Sequence, residues 1–443
     1  MVLSFGGVLV CALASCAGSP KGPELEFSSR GALSEQSSHE VERPREEFPV
    51  ELSVVQAVEE ALRRNLSLLA QRAGLSVTDA LLVGARVRPN PVLSLDVDHV
   101  NAAHLSKGDL TEAAARVDVP IVLGGKRDLR IEVAEKDRTL AELQVEDAVR
   151  RLRQEVSSAC VDVIQAKANL VLAQDNLKTY EDLVRINDRR VQAGAIAAAE
   201  LQRSKVFMLQ FRSSVRRGEL ELAGARTKLK VLLGRRSDQP EVDLRDELGI
   251  PTSPQGVELP ALHQRALAER PDLRALELGR LRAESDLRLQ IANGVIDLAA
   301  GAEYRWNADE PSERLVGFFL TIPLPFFNQN AGEIARARAQ REVTLRQAEA
   351  LRAEIYGDVR SATEEFVSAR GLVQSIEGEL LRTAREVRDA EHQRYQNGAA
   401  SFLEFLDAQR AFNDVRQSLN DAQATYRRAV IRLHAAVGSE VIS

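Results

Sequence analysis

The segment Arg190-Val-Gln-Ala-Gly194-Ala195 returns about 204 residues later as Arg394-Tyr-Gln-Asn-Gly398-Ala399. Further matches at nearly the same spacing extend over most of the chain. A unit of about 200 residues is far longer than the repeats of solenoid proteins. The sequence therefore predicts a duplicated domain, with repeats at 50–235 and 259–440 and a linker at 236–258.

Each repeat contains a very long helical pattern that ends at a glycine. Apolar residues recur at spacings of three and four, as in coiled coils, from near Lys126 or Gly332 to Gly194 or Gly398. Such a helix would have about 67 residues and a length of roughly 100 Å. Because glycine allows the chain to reverse, Gly194 and Gly398 are predicted as the tip turns of two hairpins. The predicted second-half seam is Ile355, Val359, Ala362, Phe366, Ala369, Val373, Ile376, Leu380, Thr383, Val387 and Ala390.

Before each long helix, two segments alternate apolar and polar residues. They lie at 91–100 and 115–120 in the first half, and at 296–306 and 315–322 in the second. The alternation fits either a half-buried sheet of a soluble domain or a membrane barrel with a wet lumen. Four strands cannot close a barrel, and lipid tolerates no open sheet edge. If these strands span a membrane, several chains would therefore have to combine them in one barrel. Three copies of the chain would supply twelve strands. The residues predicted to face the lumen of such a barrel are Asp96, Asp98, Asp118, Glu303 and Arg305.

The composition excludes several classes of function. The chain has 443 residues, of which 28% are charged and 4% aromatic, a balance typical of long amphipathic helices. Its net charge of −6 gives no reason to expect nucleic acid as a partner. The cysteines and histidines are scattered, and no nucleophile–base set or phosphate-binding loop is present. The sequence thus predicts a mainly α-helical protein with a small β part that is not an enzyme, with no cofactor and no fixed metal site.

The N-terminus has the character of an export signal. Residues 1–16 are apolar and end in Leu13-Ala14-Ser15-Cys16, which resembles the signal of bacterial lipoproteins, in which the cysteine becomes the acylated first residue. An ordinary secretory signal cleaved nearby is the alternative. Ala17, rather than Asp, favours the outer membrane by resemblance to enteric lipoproteins. Residues 17–48 lack periodicity and are predicted as an extended tether, and no internal apolar run of about 18 residues predicts a spanning helix.

Four further strings carry a resemblance to a known family. They are Arg88-Pro-Asn-Pro91, Val119-Pro-Ile-Val-Leu-Gly-Gly-Lys-Arg127, Ile322-Pro-Leu-Pro-Phe-Phe-Asn-Gln-Asn-Ala-Gly-Glu-Ile334 and Gly398-Ala-Ala-Ser-Phe-Leu-Glu-Phe-Leu-Asp-Ala-Gln409. With the duplicated hairpins and strand pairs, they make the chain resemble the TolC-type outer-membrane channels, and more narrowly the CzcC-like branch that serves heavy-metal efflux.

The resemblance implies an architecture and a set of partners. It implies a homotrimer in which a twelve-stranded barrel in outer-membrane lipid continues into an α-helical tunnel across the periplasm of a Gram-negative bacterium. It also implies a periplasmic adaptor (membrane fusion) protein and an inner-membrane pump of the RND class. The implied cargo is divalent heavy-metal cations.

The resemblance also implies a gate at the hairpin tips. Glu404 and Asp407 are three residues apart on one helix face and correspond to acidic residues that ring the periplasmic aperture in the family. The alternative is an ordinary solvated helix face. Glu200 and Tyr395 correspond to an acid and a tyrosine that bond across the tip and hold it closed. Ala400 stands where the family has an arginine of the closing network.

Two alternatives to a metal channel remain open from the sequence. Within the channel class, the cargo could be organic drugs or a secreted polypeptide. In another class, the chain could be a lipid-anchored coiled-coil adaptor or structural protein, for which the doubled strand pattern with charged inner faces would have no use.

Overall fold

The computed structural model describes residues 48–100, 110–236, 238–249, 258–307 and 314–441. The predicted signal segment with Cys16, and the tether up to residue 47, lie outside these residues. The described helices are α1 (Val54–Arg64), α2 (Leu66–Arg86), α3 (Lys126–Gln192), α4 (Ala198–Leu232), α5 (Leu259–Glu269), α6 (Pro271–Asn293), α7 (Ala331–Ser375), α8 (Leu381–Gln396) and α9 (Phe402–Val437). The described strands are β1 (Glu51–Leu52), β2 (Val92–Val100), β3 (Leu110–Ile121), β4 (Asp243–Leu244), β5 (Leu298–Asn307) and β6 (Arg314–Thr321). The predicted fold class, mainly helical with a small four-stranded β part, is confirmed.

Two long hairpins dominate the molecule. α3 is a single α-helix of 67 residues, or roughly 100 Å. It turns at Gly194 into α4, and α8 turns at Gly398 into α9. Both glycines have positive φ, 70° and 73°, a conformation that side chains with a Cβ rarely adopt. The structure therefore places both glycines at helix reversals.

The helix pair that precedes each strand pair breaks at the same place in both repeats. α1 and α2 meet at Asn65, and α5 and α6 meet at Arg270, with ψ of 120° and 119° respectively. The Asn65 side chain accepts a hydrogen bond from Leu68 N at 3.0 Å and so caps α2. In the second repeat Pro271 opens α6, a position at which proline loses no helical hydrogen bond.

The hairpins are held together by separate apolar clusters. The first-half cluster joins α3 and α4 to α1 and the short parallel pair β1–β4, with Val156, Val163 and Leu229 fully buried. The second-half cluster joins α7 and α9 to α5. A third cluster lies at the tips and combines residues of both halves: Tyr180, Leu183, Tyr395, Phe402, Phe405 and Leu406. Side-chain burial of this kind stabilises a protein by about 1.5–3 kcal/mol for each large apolar residue.

The four long strands form one antiparallel sheet in the order β2-β3-β5-β6. The central pair, β3 and β5, comes from different halves and aligns Arg116 with Glu303. β5 begins at Leu298, two residues later than the predicted segment. β2 and β6 are the edges, and within the described chain neither pairs on its outer side.

A π-helical turn interrupts the outgoing helix of the second hairpin at Ile376–Leu380. The amide of Leu381 bonds to the carbonyl of Ile376, five residues back, so the turn holds one residue more than an α-helical turn. The predicted seam is right from Ile355 to Ile376, because every seam residue in this range is buried. Beyond it the prediction of Leu380, Thr383, Val387 and Ala390 is wrong, because the seam shifts by one residue. Leu380 and Val387 are each 49% exposed, whereas Leu381 packs on the core and Tyr395 is buried.

The linker that joins the repeats contacts both of them. Lys230 Nζ donates to Gln239 O at 2.6 Å, and Lys167 forms an ion pair with Asp243 at 3.1 Å. Arg427, on α9, donates to the carbonyl of Gly249 at 3.2 Å. The linker thereby fastens the first hairpin to the second.

In the part of the chain that the structure describes, α2 and α3 are long and apolar enough to cross a membrane, whereas the sequence predicted no spanning helix. The criterion uses length and composition only, and core helices satisfy it too. Of the most apolar stretch of each helix, 44% is buried inside the molecule in α3 and 6% in α2.

Candidate functional site

One face of the four-stranded sheet is apolar and uncovered. Its residues are Leu93, Leu95, Ala115, Val117, Val119, Ala300, Ala302, Tyr304, Trp306, Val316, Phe318 and Leu320, which the strand register places side by side. Phe318 is 84% exposed, Leu95 67% and Val316 66%. A half-buried sheet of a soluble domain would cover these side chains, so the face requires an apolar surrounding.

The opposite face of the sheet is polar. The register places the predicted Asp96, Asp118, Glu303 and Arg305 on this face. Asp98 continues the same alternation in β2, but its side chain is outside what the structure describes. Arg305 Nη2 donates to Glu303 Oε1 at 3.0 Å, so this predicted pair neutralises itself within one strand.

The polar face contains two residues that the sequence reading did not single out. Arg116 donates to Asp118 Oδ1 at 2.8 Å and 2.9 Å, and its guanidinium lies 4.4 Å from the centroid of the Phe319 ring. A Cβ at Gly301, directly opposite Asp118, would come within 2.2 Å of Asp118 Oδ1. Arg116 could have been found from the strand alternation, whereas only the paired register shows that the Asp118 carboxylate lies over Gly301.

A buried lysine joins the sheet to the long helices. Lys126, the first residue of α3, donates to Val295 O at 2.6 Å and forms an ion pair with Asp297 at 2.8 Å. Asp297 also accepts from Leu123 N at 2.9 Å. Partial burial raises the pKa of Asp297, but the hydrogen bonds and the positive charge outweigh it and hold this pKa below the ordinary value. The carboxylate thus locks the base of the sheet to the start of α3.

The tips carry a hydrogen-bonded tyrosine. Tyr395 Oη donates to Asn187 Oδ1 at 2.5 Å, and both residues are buried. Arg190 lies 4.9 Å from the centroid of the Tyr395 ring and donates to the carbonyl of Gln396 at 2.7 Å. Burial raises the pKa of Tyr395; Arg190 opposes this and Glu200 adds to it. The hydroxyl therefore remains protonated at neutral pH and acts as a donor.

The predicted bond between Glu200 and Tyr395 needs correction. The hydroxyl of Tyr395 bonds to Asn187 instead, while the Glu200 carboxylate acts on it only through its charge. Asn187 is fully buried on the face of α3 that continues from Tyr180, whereas Glu200, in the first turn of α4, is partly exposed. Asn187 follows Tyr180 by one heptad, and that spacing was the available sequence signal.

Glu404 and Asp407 are both exposed on the first two turns of α9. Glu404 completes a capping box: its Oε2 accepts from Ser401 N at 2.6 Å, and Ser401 Oγ accepts from Glu404 N at 3.3 Å. These bonds with Ser401 lower the pKa of Glu404. In the described part of the chain, neither carboxylate takes part in an ion pair. At the same positions of the first repeat stand Glu200 and Arg203.

The described residues contain no cluster of three or more His, Cys, Asp or Glu side chains arranged to hold a metal ion. The acidic side chains of the candidate site instead lie on surfaces, along the polar face of the sheet and at the second tip.

Comparisons with known proteins agree with this geometry. A sequence profile of the family described as "Outer membrane efflux protein" matches residues 57–235 and again 262–439. The cobalt-zinc-cadmium resistance protein CzcC of Cupriavidus metallidurans is 25% identical over 82% of this chain and 85% of its own length. The cation efflux system protein CusC of Escherichia coli K12 is 25% identical over 69% of this chain and 68% of its own length. A crystal structure of CusC, at 20% identity, superposes with a TM-score of 0.73 over 88% of this chain and 93% of that one.

Proposed function

Because the chain belongs to the outer membrane efflux protein family, we propose that it is the outer-membrane exit duct of a tripartite efflux system and that its cargo is divalent heavy-metal cations. The observation that carries the proposal is the sheet with one uncovered apolar face and one charged face. Lipid against the first face and water against the second is the arrangement of a membrane barrel.

The open edges of the sheet argue for assembly as a trimer. An unpaired strand edge in lipid leaves N–H and C=O groups unsatisfied at several kcal/mol each. Edge β2 of one copy and edge β6 of the next can satisfy each other, and three copies then close twelve strands around a lumen. The charged faces with Asp96, Asp118, Glu303 and Arg305 would line that lumen. The long hairpins would continue it as a helical tunnel in the periplasm.

The cargo is inferred from the second tip and from the relatives. CzcC is named for cobalt, zinc and cadmium, and CusC for cations. Threefold symmetry would bring three copies of Glu404 and of Asp407 together, and a ring of carboxylates attracts cations. Glu404 offers only part of its carboxylate, since Oε2 also caps α9. In the ring, Asp407 is therefore the freer ligand.

Anchoring and partners follow from the same family. We assign Cys16 as the acylated N-terminal residue that tethers each copy to the outer membrane, with 17–48 as the extended segment behind it. Several acyl chains anchor a protein far more firmly than one. The tips would meet a periplasmic adaptor protein and an inner-membrane pump of the RND class, which supplies the energy that a passive duct lacks.

Metal and drug sensitivity of a deletion strain tests the proposed cargo. Loss of the gene should sensitise the cells to divalent heavy metals and leave their resistance to organic drugs unchanged. The reverse result would favour a multidrug or secretion duct. A chain that stays monomeric and soluble without detergent after removal of the acyl group would instead support the adaptor alternative and exclude the channel.

Conductance tests the acidic ring. In planar bilayers, the double variant Glu404→Ala/Asp407→Ala should lose most of the cation preference of the wild type and its block by trivalent cations. The matched control is Glu219→Ala/Glu221→Ala, which changes two exposed acids on α4 roughly 25 residues from the tip glycine Gly194, or about 35 Å along the helix. Unchanged selectivity in the Glu404/Asp407 variant would remove the ring from the proposal.

A further inference from the structure

The polar face of the sheet holds more carboxylates than guanidinium groups. Among the side chains that the structure describes, the register places on this face Asp96, Asp118, Glu303, Arg116 and Arg305. Each arginine forms an ion pair with the acid two residues away in its own strand, Arg116 with Asp118 and Arg305 with Glu303. Asp96 is exposed and has no ion-pair partner within the described residues. Three carboxylates against two guanidinium groups leave this face negative.

Two glycines allow one of these ion pairs to reach across a neighbouring strand. Asp118, Gly301 and Phe319 lie side by side in one row of the register, on β3, β5 and β6. The Asp118 carboxylate occupies the space over Gly301, where a Cβ would come within 2.2 Å of its Oδ1. The Phe319 ring lies over Gly317, 3.2 Å from the place of a Cβ there. An ion pair of the first repeat and a ring of the second therefore meet over β5.

Arg116 is held against the sheet by three contacts. Its Nε and Nη2 donate to Asp118 Oδ1 at 2.9 Å and 2.8 Å, and Nη2 also donates to Thr321 Oγ1 at 3.4 Å. Its guanidinium lies 4.4 Å from the centroid of the Phe319 ring, whose electron-rich face attracts a cation. Only 24% of the Arg116 side chain is exposed. The positive charge thus lies on the wall of the sheet and does not project from it.

The position of this charge decides what a passing ion meets. In the proposed barrel the polar face lines a water-filled lumen, and at physiological salt a charge acts over roughly 8 Å. An arginine bonded to a carboxylate on the wall adds no net charge there. An arginine that left the wall would carry its charge toward the axis and repel cations.

We propose that Phe319 and Asp118 fix Arg116 on the wall and thereby keep the barrel section of the duct selective for cations. Phe319 is a positioning residue, because it carries no charge and acts only through Arg116. The net negative charge of the polar face then remains to attract cations. The inference rests on the proposed duct function and adds a second cation-preferring section, in the barrel, to the one at the tips.

Permeability ratios in planar bilayers test this inference. All variants are made on the Glu404→Ala/Asp407→Ala background, so that the tip ring no longer sets the preference. Phe319→Leu changes no charge and should lower the cation-to-anion permeability ratio about twofold, because Arg116 is then free to leave the wall. Phe318→Leu is the matched control. It makes the same change one residue earlier, on the apolar face, where Phe318 is 84% exposed, and should leave the ratio unchanged.

A double-mutant cycle decides whether Phe319 acts through Arg116. Arg116→Gln should raise the ratio, because the Asp118 carboxylate is then not neutralised. In that variant Phe319→Leu should have no further effect. Phe319→Tyr keeps the ring face and should retain the ratio of the background. A fall of equal size with and without Arg116, or no fall in either, would overturn the inference.

The outcomes separate the positioning of Arg116 from the duct itself. If Phe319→Leu prevents assembly, Phe319→Met replaces it with the same expected fall, since methionine fills irregular space but has no ring. A wild type that never conducts would overturn the proposed duct function. A wild type that conducts, with an equal ratio in Phe319→Leu and its background, would leave that function standing and overturn the role of Phe319.

Discussion

The two hairpins belong to the two copies of one duplicated unit, but their tips differ. α3 runs unbroken to its tip, and Ala197, the N-cap residue before α4, makes no side-chain cap. The second outgoing helix contains a π turn, and its partner α9 has a full capping box at its N-cap residue Ser401. The first tip carries Arg203 at the position of Asp407. The duplication thus supplies a common frame, and the differences concentrate at the distal end, where a gate would act. The second tip is capped at its first turn, and the tip cluster and the bond between Tyr395 and Asn187 join it to the first hairpin.

The largest expected contrast comes from the tip core. Phe405, fully buried and stacked on Tyr395 at 5.6 Å, occupies the repeat position of Leu201. Phe405→Ala should cost about 3–5 kcal/mol of local stability, and Leu201→Ala should cost less, near the lower end of about 2–5 kcal/mol, because Leu201 is smaller and 8% exposed. Hydrogen–deuterium exchange of each hairpin measures both. Equal losses at the two tips would contradict the asymmetry.

The next effect concerns the bond that joins the halves. Tyr395→Phe removes the donor to Asn187 and leaves a buried amide oxygen unpaired, at a cost of about 1–3 kcal/mol. The expected result is a higher open probability in planar bilayers. Tyr356→Phe is the matched control, since Tyr356 is a half-exposed tyrosine on α7, well before the π turn. A conductance unchanged from the wild type would show that this bond does not hold the tip closed.

The N-cap residues of α4 and α9 can be swapped, so that one tip loses a side-chain cap and the other gains one. Ser401→Ala should destabilise the start of α9 by about 1 kcal/mol, because the capping box loses the bond to the Glu404 amide. Ala197→Ser should stabilise the start of α4 by about 0.5–1 kcal/mol, since that helix has no side-chain cap. Exchange of the first-turn amides measures both changes. We expect the first-turn amides to exchange faster in Ser401→Ala and more slowly in Ala197→Ser. A change in the same direction in both variants would refute the assigned difference in capping.

The smallest effect is a pH dependence confined to the second tip. The folded-state pKa of Glu404 lies below its ordinary value of 4.5 because the carboxylate accepts bonds at Ser401. A lowered folded pKa contributes stability that is present above about pH 4.5 and is lost as the pH falls through the folded pKa. Protease cleavage at the second tip should therefore speed up below pH 4.5 more than cleavage at the first. Glu404→Gln should abolish that difference, and a difference that persists in this variant would point to another group.

The architecture was largely predictable from the sequence because it rests on period and length. Strand alternation placed Asp96, Asp118, Glu303 and Arg305 on one face, and the heptad spacing placed the seam as far as Ile376. The repeat spacing identified Gly194 and Gly398. Each of these patterns is local in sequence and recurs many times along the chain. A single residue that departs from a pattern therefore does not change the predicted architecture.

The details of the tip were not predictable in the same way. A π turn changes the hydrogen-bond register without changing the apolar spacing on either side, so counting residues placed Val387 inside. The partner of Tyr395 depends on which face of α3 reaches the second hairpin, and this is decided by packing between Asn187 and the tip core.

The two unpaired edges, β2 and β6, have a genetic consequence. In the proposed trimer every seam joins edges of two different copies, so one defective β6 edge opens the whole ring. A cell that makes equal amounts of normal and edge-defective chains would assemble only roughly one intact ring in eight. Such alleles should be dominant, whereas alleles that merely prevent synthesis should be recessive.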